Sequence, residues 1–97
     1  MPAVTIIGSL STGHSSFPPT NATEGSGDVF VNGQGVVRVG DAYAPHGSPT
    51  PSPPHDRVAS GGSGTVYVNG QPIHRIGDDI SCGDASAEGS PDVFAGG

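Results

Sequence analysis

The chain has no lysine, no tryptophan and a single cysteine, and its only aromatic side chains are three Phe and two Tyr. Three arginines stand against nine acidic residues, for a formal charge of −6. No basic face can be assembled from so few cations, which excludes nucleic acid as a partner. With Cys82 the only cysteine, an internal disulfide is excluded as well. The apolar stretch Val4 to Leu10 is too short and too interrupted to cross a bilayer. No charged segment leads into an apolar one in the manner of a signal peptide. The expectation is a chain made in the cytoplasm which leaves the cell, if at all, by a route without a cleaved signal.

What the chain has in quantity is Gly and Pro, 17 and 10 of 97 residues, while its hydrophobic share is only 32%. Such a composition signals disorder unless something staples the chain. Ordering each residue costs about 1–2 kcal/mol, and this core is poorly supplied to offset it. The apolar residues nevertheless fall in short clusters, which argues for a fold. One domain over residues 1–97 is the expectation. With a disulfide excluded, the staple is a metal, a partner, or both.

The clusters repeat. Glu24-Gly25-Ser26-Gly27-Asp28-Val29-Phe30-Val31-Asn32-Gly33 returns as Gly61-Gly62-Ser63-Gly64-Thr65-Val66-Tyr67-Val68-Asn69-Gly70. A third copy runs Glu88-Gly89-Ser90-Pro91-Asp92-Val93-Phe94-Ala95-Gly96-Gly97. The first two copies lead into a second strand, Val36 to Asp41 and Ile73 to Asp78, and the opening Val4 to Gly8 matches that strand without a hairpin before it. The V-aromatic-V runs are β-formers, and Asn-Gly supplies the two positive-φ positions of a tight turn. Pro72 suits a strand start or an edge. No stretch has useful helical periodicity. The expected fold is therefore all-β, three short hairpin-like repeats with quasi-threefold symmetry, closed by one metal ion.

Counting from the glycine that ends each second strand picks out the metal donors. Gly8 leads to His14, Gly40 to His46 and Gly77 to Cys82, at six, six and five residues. Quasi-threefold symmetry would bring these three positions together. His55 stands at the far end of the Pro-rich insertion, 47–54, which reads as a stiff loop anchored by a histidine at each end. His14, His46, His55 and Cys82 make a closed tetrahedral set of the kind that holds structural zinc, with iron as the second choice. His74 lies within a second strand, where the first repeat has Val37, and is expected to be a surface or packing residue. Asp41 and Asp78 are expected to brace turns, with Arg38 and Arg75 as ion-pair partners. Were only three ligands to bind, Asp56 would be the one obvious base for a zinc hydrolase. No nucleophile elbow, HExxH or P-loop is present, and the chain is expected not to be an enzyme. A small zinc-binding module is the remaining alternative.

Hairpins ending in Asn-Gly, each followed by Gln-(Gly/Pro)-x-x-Arg-aliphatic-Gly-Asp, with Gly-Ser steps before them and a His/His/His/Cys order between, resemble the PAAR-repeat (Pro-Ala-Ala-Arg) family. The motif stands here as Pro72-Ile73-His74-Arg75 and, more loosely, Gly35-Val36-Val37-Arg38. The resemblance implies a cone-shaped tip on a trimeric β-helical spike, one tip per trimer. That spike would be the valine–glycine-repeat (VgrG-like) protein of a type VI secretion system or the central spike of a contractile phage tail. It also implies a zinc near the vertex held by His14, His46, His55 and Cys82, effectors as possible further partners, and transient contact with the membrane it pierces. Such a tip is secreted or forms part of a virion. Because the chain stops at Gly97, the resemblance further implies a bare tip without an effector extension.

Overall fold

A computed structural model describes residues 1–13, 18–46, 55–81 and 83–97. Among these it is all-β, without a helix. Six strands form three two-stranded antiparallel ribbons: β1 (Phe30–Val31) with β2 (Gln34–Gly35), β3 (Ala42–His46) with β4 (His55–Val58), and β5 (Tyr67–Val68) with β6 (Gln71–Pro72). The β1–β2 and β5–β6 hairpins have the expected turns. Asn32 and Gly33 lie at φ 53° and 79°, and Asn69 and Gly70 at 54° and 80°. This is the type I′ geometry whose twist matches the flanking strands.

The third hairpin is assembled from the two ends of the chain. Ala3 bridges Phe94, Val4 N donates to Val93 O at 3.0 Å, and Ala95 N donates to Pro2 O at 3.0 Å. The opening segment thus supplies the second strand that the last repeat lacks. The β3–β4 ribbon, in contrast, stands outside the repeat. Its sequence reads as a loop, yet Ala42 pairs with Val58 and Tyr43 with Arg57.

The second strands are also shorter than their sequence suggests. After β2 and β6 the chain leaves its own hairpin and pairs with neighbouring repeats. Ile6 bridges Val36, Arg38 bridges Ile73, and Arg75 bridges Val4, so that three segments close a triangle. At its centre Thr5 N donates to His74 O, His74 N to Val37 O and Val37 N to Thr5 O, at 2.9, 2.9 and 3.0 Å. All three residues have 0% exposure. The buried apolar residues form two small clusters. One holds Val4, Val36, Val68, Ile73 and Ala95, and the other Ala22, Val37, Tyr43, Ala59 and Ile80. The chain measures 39 × 23 × 23 Å, with two equal short dimensions.

Each Gly-Ser step serves this closure. Ser26, Ser63 and Ser90 are buried, and each Oγ accepts from the amides two and three residues on. The preceding glycines pack against a neighbouring main chain. A Cβ at Gly25, Gly62 or Gly89 would stand 2.9, 2.8 or 2.6 Å from the carbonyl oxygens of Val36, Ile73 or Val4. Arg38–Asp41 and Arg75–Asp78 are paired as expected, each at 2.8 Å and forked, with the carboxylate also accepting the arginine's own amide. In the opening segment Ser9 Oγ takes over this last role, accepting from Ile6 N.

His74 is a packing residue. Its Nδ1 lies 2.6 Å from Gly61 O, which can only accept, so Nδ1 carries the proton and Nε2 accepts from Tyr43 OH at 3.0 Å. Burial holds its pKa below 6.5, against smaller opposing effects of the Gly61 hydrogen bond, Asp78 and Asp41, while Arg75 adds to the depression. Burial likewise pushes the Tyr43 hydroxyl up to about 12.

Two predictions follow from this packing. Gly62→Ala should cost about 1–3 kcal/mol in urea unfolding, because backbone must move to admit the methyl. Gly27→Ala, where nothing lies within 4 Å, should stay within about 0.5 kcal/mol of the parent. For His74, the unfolded chain binds a proton near pH 6.5 that the folded chain refuses. Stability is therefore unaffected by this group above that pH and falls as the pH drops below it, by up to about 1.4 kcal/mol per pH unit. His74→Gln should lower the steepness of the stability loss between pH 7 and 5, and equal slopes would exclude the linkage.

Candidate metal centre and its flanking cluster

The four expected metal ligands fall differently on the structure. His46 and His55 end β3 and begin β4, and the register sets them opposite one another as Cα partners. The eight-residue insertion thus leaves from and returns to one end of a ribbon. His14 and Cys82 lie outside the described residues, as do 15–17 and 47–54. Among the described residues no cluster of three or more His, Cys, Asp or Glu forms a metal site.

The described neighbours of His14 and Cys82 are nonetheless held close together. Thr12 N donates to Ala85 O at 2.9 Å, and Gly13 N donates to Asp84 Oδ2 at 3.0 Å. Ser81 N donates to Val58 O at 2.9 Å, and Ile80 N to Asp84 O at 2.8 Å. The chain entering His14, the chain on either side of Cys82, and β4 are therefore joined by hydrogen bonds.

Beneath them lies a buried polar cluster that repeat counting misses. Arg57 Nη1 meets Asp84 Oδ2 at 2.6 Å, with both side chains at 0% exposure. Arg57 Nη2 donates to Ser11 Oγ at 3.0 Å and to Thr20 Oγ1, and the guanidinium carbon sits 5.2 Å from the centre of the Tyr43 ring. Thr20 Oγ1 donates onward to Ala44 O at 2.7 Å, in β3. Tyr43 reaches His74 through its hydroxyl and an edge-on ring contact at 5.9 Å. One signal pointed to this cluster: of the three arginines, Arg57 alone has no counterpart in the repeat.

A second functional feature sits on the hairpins. Phe30, Tyr67 and Phe94 occupy one repeat position and are 60%, 57% and 49% exposed, while the next residues, Val31, Val68 and Ala95, turn inward onto the first apolar cluster. Turn residues tie neighbouring hairpins together. Asn69 donates to Asp28 and accepts from Ser26 and Arg38, and Asn32 donates to Asp92 and accepts from Ser90. Those asparagine hydrogen bonds, ahead of the serine ones, hold the Asp28 and Asp92 carboxyls below the usual range. At the third junction the Gly96 carbonyl replaces Asn, accepting from Ser63 Oγ and Arg75 Nη1.

A search among curated proteins finds no match. The family model of the PAAR motif matches residues 12–87, the span that contains the Arg57–Asp84 pair, both complete hairpins and all four candidate metal ligands. The chain belongs to the PAAR-motif family.

Proposed function

We propose that this protein is the metal-fastened tip of a trimeric β-helical spike in a contractile injection machine, a mechanical part without catalytic chemistry. The carrying observation is that one chain exposes three equivalent aromatics, Phe30, Tyr67 and Phe94, around a closed three-membered ring. A monomer ordinarily cannot meet a threefold partner with equivalent contacts. Here each corner of the trimer would receive one hairpin, and half-exposed aromatics are the side chains that anchor interfaces. The family association with spikes agrees with this.

The hairpin residues Val31, Val68 and Ala95 pack on the first apolar cluster, whereas Tyr43, Ala59 and Ile80 of the second lie close in sequence to His46, His55 and Cys82, so this reading gives docking and metal binding to different parts of the chain. Three imidazoles and a thiolate are a donor set suited to zinc, and the Cα pairing of His46 with His55 is consistent with two of them reaching one ion. A zinc ion bound there would cross-link segments otherwise joined by few apolar contacts, at about 10–16 kcal/mol in small domains. With four protein ligands no position is left for an activated water.

Cys82→Ser and His46→Ala should each reduce the zinc content measured by elemental analysis and lower Tm by more than about 10 °C, since 1 kcal/mol is worth about 4–8 °C in a domain of this size. Full zinc content in both variants would sink the ligand assignment. For docking, the protein should co-elute with a trimeric β-helical spike at one chain per trimer. Replacing Phe30, Tyr67 and Phe94 together by Ser should weaken that complex by about a hundredfold or more at unchanged Tm. Undiminished binding would place the interface elsewhere.

A further inference from the structure

We propose that the buried Arg57–Asp84 pair is a positioning device, which sets the segments that carry the metal ligands in place before any metal arrives. This rests on the metal reading above. Two fully enclosed charges are an odd choice for a chain so short of apolar residues, since taking an ion pair out of water costs more than packing hydrocarbon in its place. What the pair supplies is direction.

Asp84 Oδ2 accepts from Gly13 N and from Arg57 Nη1, so the residue before His14 is tied to the segment following Cys82 and to the strand that begins at His55. Arg57 Nη2 reaches Ser11 and Thr20, and Thr20 in turn holds Ala44, two residues from His46. One guanidinium and one carboxylate thus connect all four ligand-bearing stretches, and a planar fork fixes angles that a flexible ammonium would not. The Tyr43 ring beneath the guanidinium, bonded to His74, anchors the arrangement to the central ring of hydrogen bonds. Partners of this kind, one step removed from the ligands, govern how well a site is preformed.

The test is the double variant Arg57→Met/Asp84→Leu, which removes both charges together and so avoids leaving one buried alone. Zinc affinity, measured by competition with a chelator, should fall about 10–100-fold. The Tm of the metal-free protein should change little, whereas a merely structural role would lower that Tm and leave the affinity as it was. Hydrogen exchange on the metal-free wild type gives a second reading. The Gly13 amide should be protected there, and exchange at the rate of an unfolded chain would overturn the inference. A wild type that binds zinc no better than the double variant also overturns it. A wild type that takes up no zinc sinks the metal reading, and this inference with it.

Discussion

Thr5, Val37 and His74 lie 32 and 37 residues apart in sequence, yet each donates its amide to the carbonyl of another, so that three hydrogen bonds close on themselves. At 0% exposure, none of these groups has water to fall back on. An unmade bond among them would cost the full desolvation of a peptide group, about 1–3 kcal/mol. The other features of the fold keep this ring dry. Val4, Val36 and Ile73 fill one side of it, and the hairpins fold back to cover them. The Gly-Ser steps must then pass so near the carbonyls of Val4, Val36 and Ile73 that no side chain fits. In a chain with few apolar residues, buried serines and main-chain bonds do much of the packing that leucines do elsewhere.

The repeat is legible in the sequence because its parts are local. Asn32-Gly33 and Asn69-Gly70 dictate their turns by backbone sterics alone, and Arg38–Asp41 and Arg75–Asp78 meet across three residues. The kinship of Val4–Gly8 to the other second strands was readable too. That Ala3, just before it, pairs with Phe94 was not, because no local rule joins the two ends of a chain. The β3–β4 ribbon was hidden by its prolines and by a bulged register between Tyr43 and His46. His74 admitted two environments, and only its place beside Thr5 and Val37 in the ring decides for the interior. Arg57 could be found by elimination, but its partnership with Asp84 depends on distant segments converging. Of the candidate ligands, the structure brings His46 and His55 opposite one another, and His14 and Cys82 lie outside the described residues.

The symmetry is deliberate where partners are equivalent and abandoned where they are not. The three aromatics, the three capping serines and the three close-packed glycines obey it. Its third corner does not: Gly96 replaces Asn, Ser9 replaces the acid, and Ile6 replaces Arg. Gly96 keeps a carbonyl contact and Ser9 a hydroxyl one, while Ser9 and Ile6 drop the two charges, so the ring closes with two ion pairs in place of three. The β3–β4 ribbon breaks the symmetry more strongly, and it does so on the side of the second apolar cluster, away from the exposed aromatics.

A ring built this way constrains how the chain can fold. The hairpins β1–β2 and β5–β6 can form early, since each closes over a two-residue turn. The central triangle needs Thr5, Val37 and His74 at once, and the third hairpin needs both ends of the chain. Long loops must therefore close before their contacts are gained, which is slow in entropic terms. It is also cooperative, because no pair of the three segments can satisfy all its amides without the third. The same closure explains how so small a core can be rigid. A polypeptide ring with no free member has no soft mode that opens one bond without straining the other two. Order in the core then rests on the main chain, which leaves the hairpin faces free to carry aromatics.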